Sequence, residues 1–367
     1  MLVLVAHAVA LIGRDLPVVP LTSEDIGGLG VQIFFAISGL LVARSWLNEP
    51  RVGAYLMKRA LRILPGLVVV VVLTAYVLGP AVTTADRLDY LTSKAPASYV
   101  LGNTLMLHED AVSGHVKEVL PAAASPGTLP GVFEDNPYHV ALVNGPLWTL
   151  PLEVTAYVLL LLAGLMALRR AWHVRVVLAA LVVAGIVLAV KAAPEAAYPL
   201  FAAFAGGALL YTVRARLPLD GWIFAASVVG WIAAYQLPLG PRLIVIALTA
   251  AYAVTFLGLR GIDRLRALTR PGDVSYGLYI YHWPVSQTIV LATGTRSAAV
   301  SICLSLVVTY ALALASWRLV ERPALRLKAR LSHSSVRRIT ARSSWTGVRR
   351  VDREGRPVRD AVPGQAA

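Results

Sequence analysis

Residues 145–168 read GPLWTLPLEVTAYVLLLLAGLMAL, and Glu153 is the only charged residue in the stretch. A run this long and apolar matches the roughly 20 residues a helix needs to cross a hydrocarbon core about 30 Å thick. A helix packed in a water-soluble core would keep one wet face and show polar residues at helical spacing. Comparable blocks fall at about 1–12, 28–45, 63–79, 175–191, 197–213, 221–237, 242–259, 274–293 and 298–317. The pattern predicts an all-α, polytopic integral membrane helix bundle of about ten transmembrane helices.

Composition agrees. The 367 residues are 57% hydrophobic and 15% charged, whereas soluble domains carry roughly 45–50% apolar and about 25% charged residues. The single cysteine, Cys303, excludes an internal disulfide and a CxxC metal or redox pair. The net charge of +14 raises nucleic acid as a partner, but its placement argues against one. With an even number of spans and the N-terminus inside, 27 of the 34 Lys/Arg fall on the inner side, as the positive-inside rule requires. The reading is therefore a multi-pass protein of the bacterial inner or plasma membrane with both termini cytoplasmic and no nucleic-acid partner. The one long connector, residues 80–145, lies outside, and a short apolar run near 97–107 reads as interfacial or re-entrant. Residues 1–320 form the membrane domain. Residues 321–367 read as a basic, disordered cytoplasmic tail. The opening MLVLVAHAVALIG is too short to span and lacks the basic start and cleavage site of a signal peptide. We read it as the outer part of a first helix that begins upstream.

Ionisable side chains inside spans cost at least about 2.5–3.5 kcal/mol on insertion scales, so each is a candidate for function. His7 lies roughly 9 Å and Glu153 roughly 10 Å from the outer face at 1.5 Å per residue. At a shared depth the two can pair. A histidine–carboxylate pair suits general-base chemistry on a hydroxyl: the imidazole takes the proton, and the carboxylate holds its tautomer. The bland alternative is a packed interfacial histidine and a hydrogen-bonded glutamate. His282 sits in GDVSYGLYIYHWPVSQ among Tyr276, Tyr279, Tyr281 and Trp283. This cluster reads as a site wall or as an interfacial aromatic belt, with Pro284 kinking the helix. Lys58, Arg59 and Arg62 precede a span on one helical face. They are ordinary inner-side charge or a clamp for a phosphorylated donor. His108, Glu109, Asp110 and His115 lack metal-site spacing, and no metal is expected. The GxxxxGK[ST], HExxH and GxSxG motifs do not occur.

Together these segments resemble the acyltransferase-3 family of bacterial membrane O-acyltransferases. Residues 30–46, GVQIFFAISGLLVARSW, are similar to its ISG-containing signature, and KRALRILP (58–65) to its cytoplasmic R-x-x-R element. GPLWTLPLEVTAY (145–157) resembles its G-P-L-W-S-L-x-V-E element and DVSYGLYIYHWPV (273–285) its S-Y-G-L-Y-L-W-H-W-P element. VERPALRL (320–327) is similar to its E-x-P ending. The resemblance covers about residues 1–327. It implies a cytosolic acyl-CoA donor, probing acetyl first, a carbohydrate, glycolipid or other hydroxyl acceptor, and no tightly bound cofactor. It matches His7 to the family's general base, Glu153 to the acid of its W-S-L-x-V-E element, and Arg59 and Arg62 to the R-x-x-R arginines near the donor, beside which Lys58 completes the clamp read above. Ser38, Trp148, Tyr276, Tyr279 and His282 would line the substrate pocket, Ser38 beside the close-packing Gly39. The chain departs from the family in having only six residues before His7, where an arginine three turns earlier is usual. It also has Val154 in place of a second acid and Tyr281 in place of tryptophan. The alternatives are a transporter or flippase and an inactive, truncated family member.

Overall fold

The structure is a computed structural model that describes residues 1–15, 18–22, 24–106, 128–137, 142–166, 197–260 and 272–327. These residues are mostly helical, and among them β-structure is limited to isolated bridges. The longer helices are α1 (Leu2–Ala10), α2 (Ile26–Asn48), α3 (Val52–Leu73), α4 (Ala95–Thr104) and α5 (Thr149–Met166). They continue with α6 (Tyr198–Val213), α7 (Gly221–Ala233), α8 (Leu239–Arg260), α9 (Ser275–Thr293) and α10 (Ala298–Ser316). Helices occupy nine of the ten apolar blocks; the block at 175–191 lies outside the described residues. Five helical segments among the described residues are long and apolar enough to cross a membrane: Ile26–Asn48, Val52–Val82, Gly145–Leu165, Leu239–Gly258 and Ala298–Leu327. Only 22% of the last segment's most apolar window is buried within the protein, so its remaining surface requires an apolar solvent. The run near 97–107 becomes α4, a short helix lying against α3. The basic tail from residue 328 and the quartet of His108, Glu109, Asp110 and His115 lie outside the described residues.

Helix ends are set by local polar chemistry. Asp25 caps α2, its Oδ1 accepting from the backbone N–H of Gly27 (2.5 Å) and Gly28 (2.9 Å). Asp220 does the same for α7. These side chains satisfy donors that have no partner within their own helix. Gly294 ends α9 with φ +59°, a left-handed turn that glycine adopts without a Cβ clash.

The centre of the bundle is a backbone-to-backbone contact. A Cβ placed on Gly39 would collide with the Phe204 carbonyl of α6, and one on Gly207 with the Ala36 carbonyl of α2. One on Gly206 would strike the Ala247 carbonyl of α8. Glycine at these three positions lets α2, α6 and α8 approach closely, which matters in lipid, where packing rather than water exclusion holds helices together. Close packing in the ISG string thus falls to Gly39; the Ser38 hydroxyl faces another way, as described below.

Gly39→Ala is expected to lower the detergent-solubilised melting temperature, since overpacking costs about 1–3 kcal/mol. Gly53→Ala, where a new Cβ meets no atom within 4 Å, should leave it unchanged or raise it. Thermal-shift measurement on the two variants checks the contrast.

Candidate active site

The site is built where α1, α2, α3, α5 and α9 converge. Helix α1 is fixed on two sides. Its Ala6 lies against Gly27 and its Leu2 against Gly30 of α2, and Ser301 of α10 donates to the Ala8 carbonyl at 2.9 Å. His7 sits between these anchors. Its Nδ1 lies 2.7 Å from Nε2 of His282, and the edge of the Trp283 ring meets it at a centroid distance of 4.7 Å.

His282 is fully buried, and its helix is held from outside its own turn. Pro284 cannot donate to the Ile280 carbonyl, and Asn144 Nδ2 fills that place at 2.9 Å. One residue pair earlier in the same strap, the Leu142 carbonyl accepts from Trp283 Nε1 and from Gln287 Nε2, both at 2.9 Å. His282 Nδ1 lies 2.7 Å from the Tyr279 carbonyl and 3.2 Å from that of Leu278. Tyr279 in turn donates to the Pro146 carbonyl at 2.8 Å and meets the Thr149 hydroxyl at 2.6 Å.

The expected pairing of His7 with Glu153 is replaced by this histidine pair. Glu153 is buried, and the Tyr157 hydroxyl one turn along α5 donates to it. Ser38 also donates to Glu153 at 3.4 Å and meets the Tyr157 hydroxyl at 2.9 Å. A shared depth would not by itself set azimuth: α2 packs against both α1 and α5.

The three basic residues also separate. Lys58 and Arg51 both bridge to Glu49. Hydrogen bonds from Lys58 and then Arg51 hold that carboxyl down at about 2, so Lys58 is already engaged by a carboxylate. Arg62 bonds Asp273 at 2.9 Å and approaches Glu321 at 4.0 Å, with its guanidinium 5.7 Å from the Tyr276 ring centre. Glu321 is buried on a π-helical turn, Trp317–Glu321, with Ser316 donating to its other oxygen at 2.9 Å. Arg59 lies over the Tyr157 ring at 5.4 Å, and its buried Nε has no hydrogen-bond partner among the described residues. Of the three, Arg59 is the one without a salt bridge among the described residues.

A cavity of about 410 Å³ is lined by Arg59, Arg62 and Asp273, by Ser38, Glu153 and Tyr157, and by Tyr276, Tyr279 and His282. Lys58 and His7 do not line it; His7 adjoins it through its bond to His282. Trp148 does not line it and packs against the main hydrophobic core. Among the described residues, no group of three or more His, Cys, Asp or Glu could hold a metal.

A family model described as an acyltransferase domain matches residues 1–318. The chain belongs to the acyltransferase-3 family. It is an acyltransferase, and relatives named in words agree. An O-acetyl transferase of Shigella phage Sf6 is 28% identical over 344 residues, covering 88% of this chain and 92% of the relative. Nodulation protein 10 of Rhizobium leguminosarum bv. viciae is 28% identical over 332 residues, covering 82% and 83%. No solved structure matches the acyltransferase.

Sequence reading passed over four residues of this site. Tyr157 follows Glu153 by four positions, the spacing that puts two side chains on one helix face, and that signal was legible. Asp273 and Glu321 are acids at the ends of apolar blocks near an arginine-rich segment, a weaker signal. Asn144 could be found only by asking what satisfies the carbonyl that Pro284 frees.

Removing one partner of a buried ion pair strands the other charge at a cost of about 3–5 kcal/mol; because Arg62 is 24% exposed, the lower end applies. Arg62→Met should therefore lower the melting temperature, and adding Glu321→Gln should recover part of the loss. A double-mutant cycle in detergent measures the coupling.

Proposed function

We propose that the protein is a membrane O-acyltransferase that moves an acyl group, acetyl in the simplest case, from cytosolic acyl-CoA to a hydroxyl of a carbohydrate, glycolipid or similar acceptor. The observation that carries this reading is the single cavity that reaches from Arg59 to His282, whose ring holds His7. A thioester donor needs a cation for its phosphates at one end and a base for the acceptor at the other.

Arg59 binds the donor's phosphate oxygens, for which a guanidinium fork is suited. Arg62, already matched by two carboxylates, shapes the mouth through Tyr276 and Asp273. The thioester lies along Ser38, Glu153 and Tyr279. His7 removes the acceptor's hydroxyl proton as its oxygen attacks the acyl carbon. The new C–O bond forms as the C–S bond breaks, and the same proton passes from His7 to the departing thiolate. Proton and electron pairs balance without a metal, a resident cofactor or a covalent acyl-protein intermediate. The name O-acetyl transferase on a relative that aligns with most of this chain supports acetyl as the first donor to test. The excess of Lys/Arg in alternate loops supports about ten spans in the bacterial inner or plasma membrane with both ends cytoplasmic, which puts Arg59 on the donor side.

The test uses full-length protein in nanodiscs with radiolabelled acetyl-CoA and a panel of polysaccharide and glycolipid acceptors. Label should move to an acceptor and release free thiol. His7→Ala should abolish transfer while leaving insertion intact; full activity in that variant would remove His7 as the base. Arg59→Ala should raise the KM for acetyl-CoA at least about tenfold, the loss of one charge-assisted contact, with the acceptor KM unchanged. An effect on the acceptor alone would refute the assignment of Arg59 to the donor.

A further inference from the structure

We propose that His282 is a positioning residue that decides which nitrogen of His7 is basic. The inference rests on His7 being the base of the transfer reaction. It starts from a group that cannot change roles: a backbone carbonyl only accepts hydrogen bonds. His282 Nδ1 faces two of them, Tyr279 at 2.7 Å and Leu278 at 3.2 Å, so Nδ1 carries the hydrogen. In the neutral ring the lone pair is then on Nε2. His7 Nδ1 lies 2.7 Å from that atom, so the hydrogen between the rings belongs to His7. The two rings are nearly coplanar, at 6°, which aims the His282 lone pair along the plane of His7. His7 is left with its hydrogen on Nδ1 and its lone pair on Nε2, the nitrogen on the far side of the ring from His282.

Two consequences bear on chemistry. The reacting nitrogen is set by a backbone-to-ring-to-ring chain, so no carboxylate is needed to hold the tautomer. When His7 takes a proton on Nε2, its Nδ1–H still donates to a neutral acceptor, and the new positive charge is solvated by His282 without creating an ion pair. The alternative arrangement, with the hydrogen of the shared bond on His282, would put a hydrogen on Nε2 of neutral His7 and remove the base. The strap at Leu142–Asn144 supports this chain, because Asn144 and Leu142 bind the turns of α9 on either side of His282.

Two measurements on the full-length protein in nanodiscs test this. The first uses acetyl-CoA turnover read as free thiol. His282→Ala should lower kcat by about 10²–10⁴-fold, the range for a base held in the wrong state, with the KM for acetyl-CoA unchanged. His282→Gln offers an amide oxygen near the place of Nε2 and should restore kcat to within about tenfold of the unmodified protein. A structural role alone would not single out glutamine over leucine, and equal losses in His282→Gln and His282→Leu overturn the proposal. If His7→Ala keeps full turnover, the base assignment itself fails, which is a separate result. The second measurement needs no variant of His282. In ¹⁵N-histidine-labelled protein, the signal lost in His7→Ala should show a protonated Nδ1 and an unprotonated Nε2. The reverse tautomer overturns the proposal even if the His282 variants fail to fold.

Discussion

A bilayer supplies no hydrogen-bond partners, so every polar group that enters the spans must be answered by another part of the protein. The arrangement around α9 follows from that constraint. Pro284 leaves the Ile280 carbonyl open, and Asn144 donates to it. His282 is fully buried, and its two nitrogens use a carbonyl of its own helix and the ring of His7. Ser301 answers the Ala8 carbonyl, and Ser286 donates to Ser305 at 2.9 Å across α9 and α10. The geometry of the chamber therefore follows from polar satisfaction in an apolar solvent: the groups that satisfy one another are the groups held in fixed orientation.

The same constraint acts on charge. Arg62, Asp273 and Glu321 come from three separate elements, and Arg62 draws the two acids together while Ser316 answers the other oxygen of Glu321. Arg59, one helical turn away, makes no salt bridge among the described residues. Two arginines three residues apart thus sit in different surroundings, because a neutralised cation ties helices together while one without a carboxylate is left with a desolvated Nε. The glycine contacts of α2, α6 and α8 make the opposite kind of wall, with no polar chemistry and almost no space.

Much of this was legible in the residues. Block lengths located the helices, because the hydrocarbon thickness fixes the length of a span. Of the residues set apart as costly in a membrane, Glu153, His282, Arg59 and Arg62 line one chamber, His7 adjoins it through its bond to His282, and Lys58 turns to Glu49 instead. The pairing was not legible. Block position reads His7 and Glu153 at one depth, yet α2 stands beside both their helices, and the angle at which a helix presents a side chain depends on neighbours far away in sequence. Gly39 was readable as a close-packing residue, whereas Ser38 was not readable as a partner of Tyr157, since a hydroxyl beside glycine fits either role. The role of Asn144 depends on a proline 140 positions later, a relation that periodicity does not encode.

The strap over α9 has a mechanical meaning. The Leu142 carbonyl is gripped by side chains from two successive turns, and Asn144 grips the turn before them. Loop and helix are therefore clamped into one body, and a displacement of Leu142–Asn144 is passed to the helix segment that carries His282.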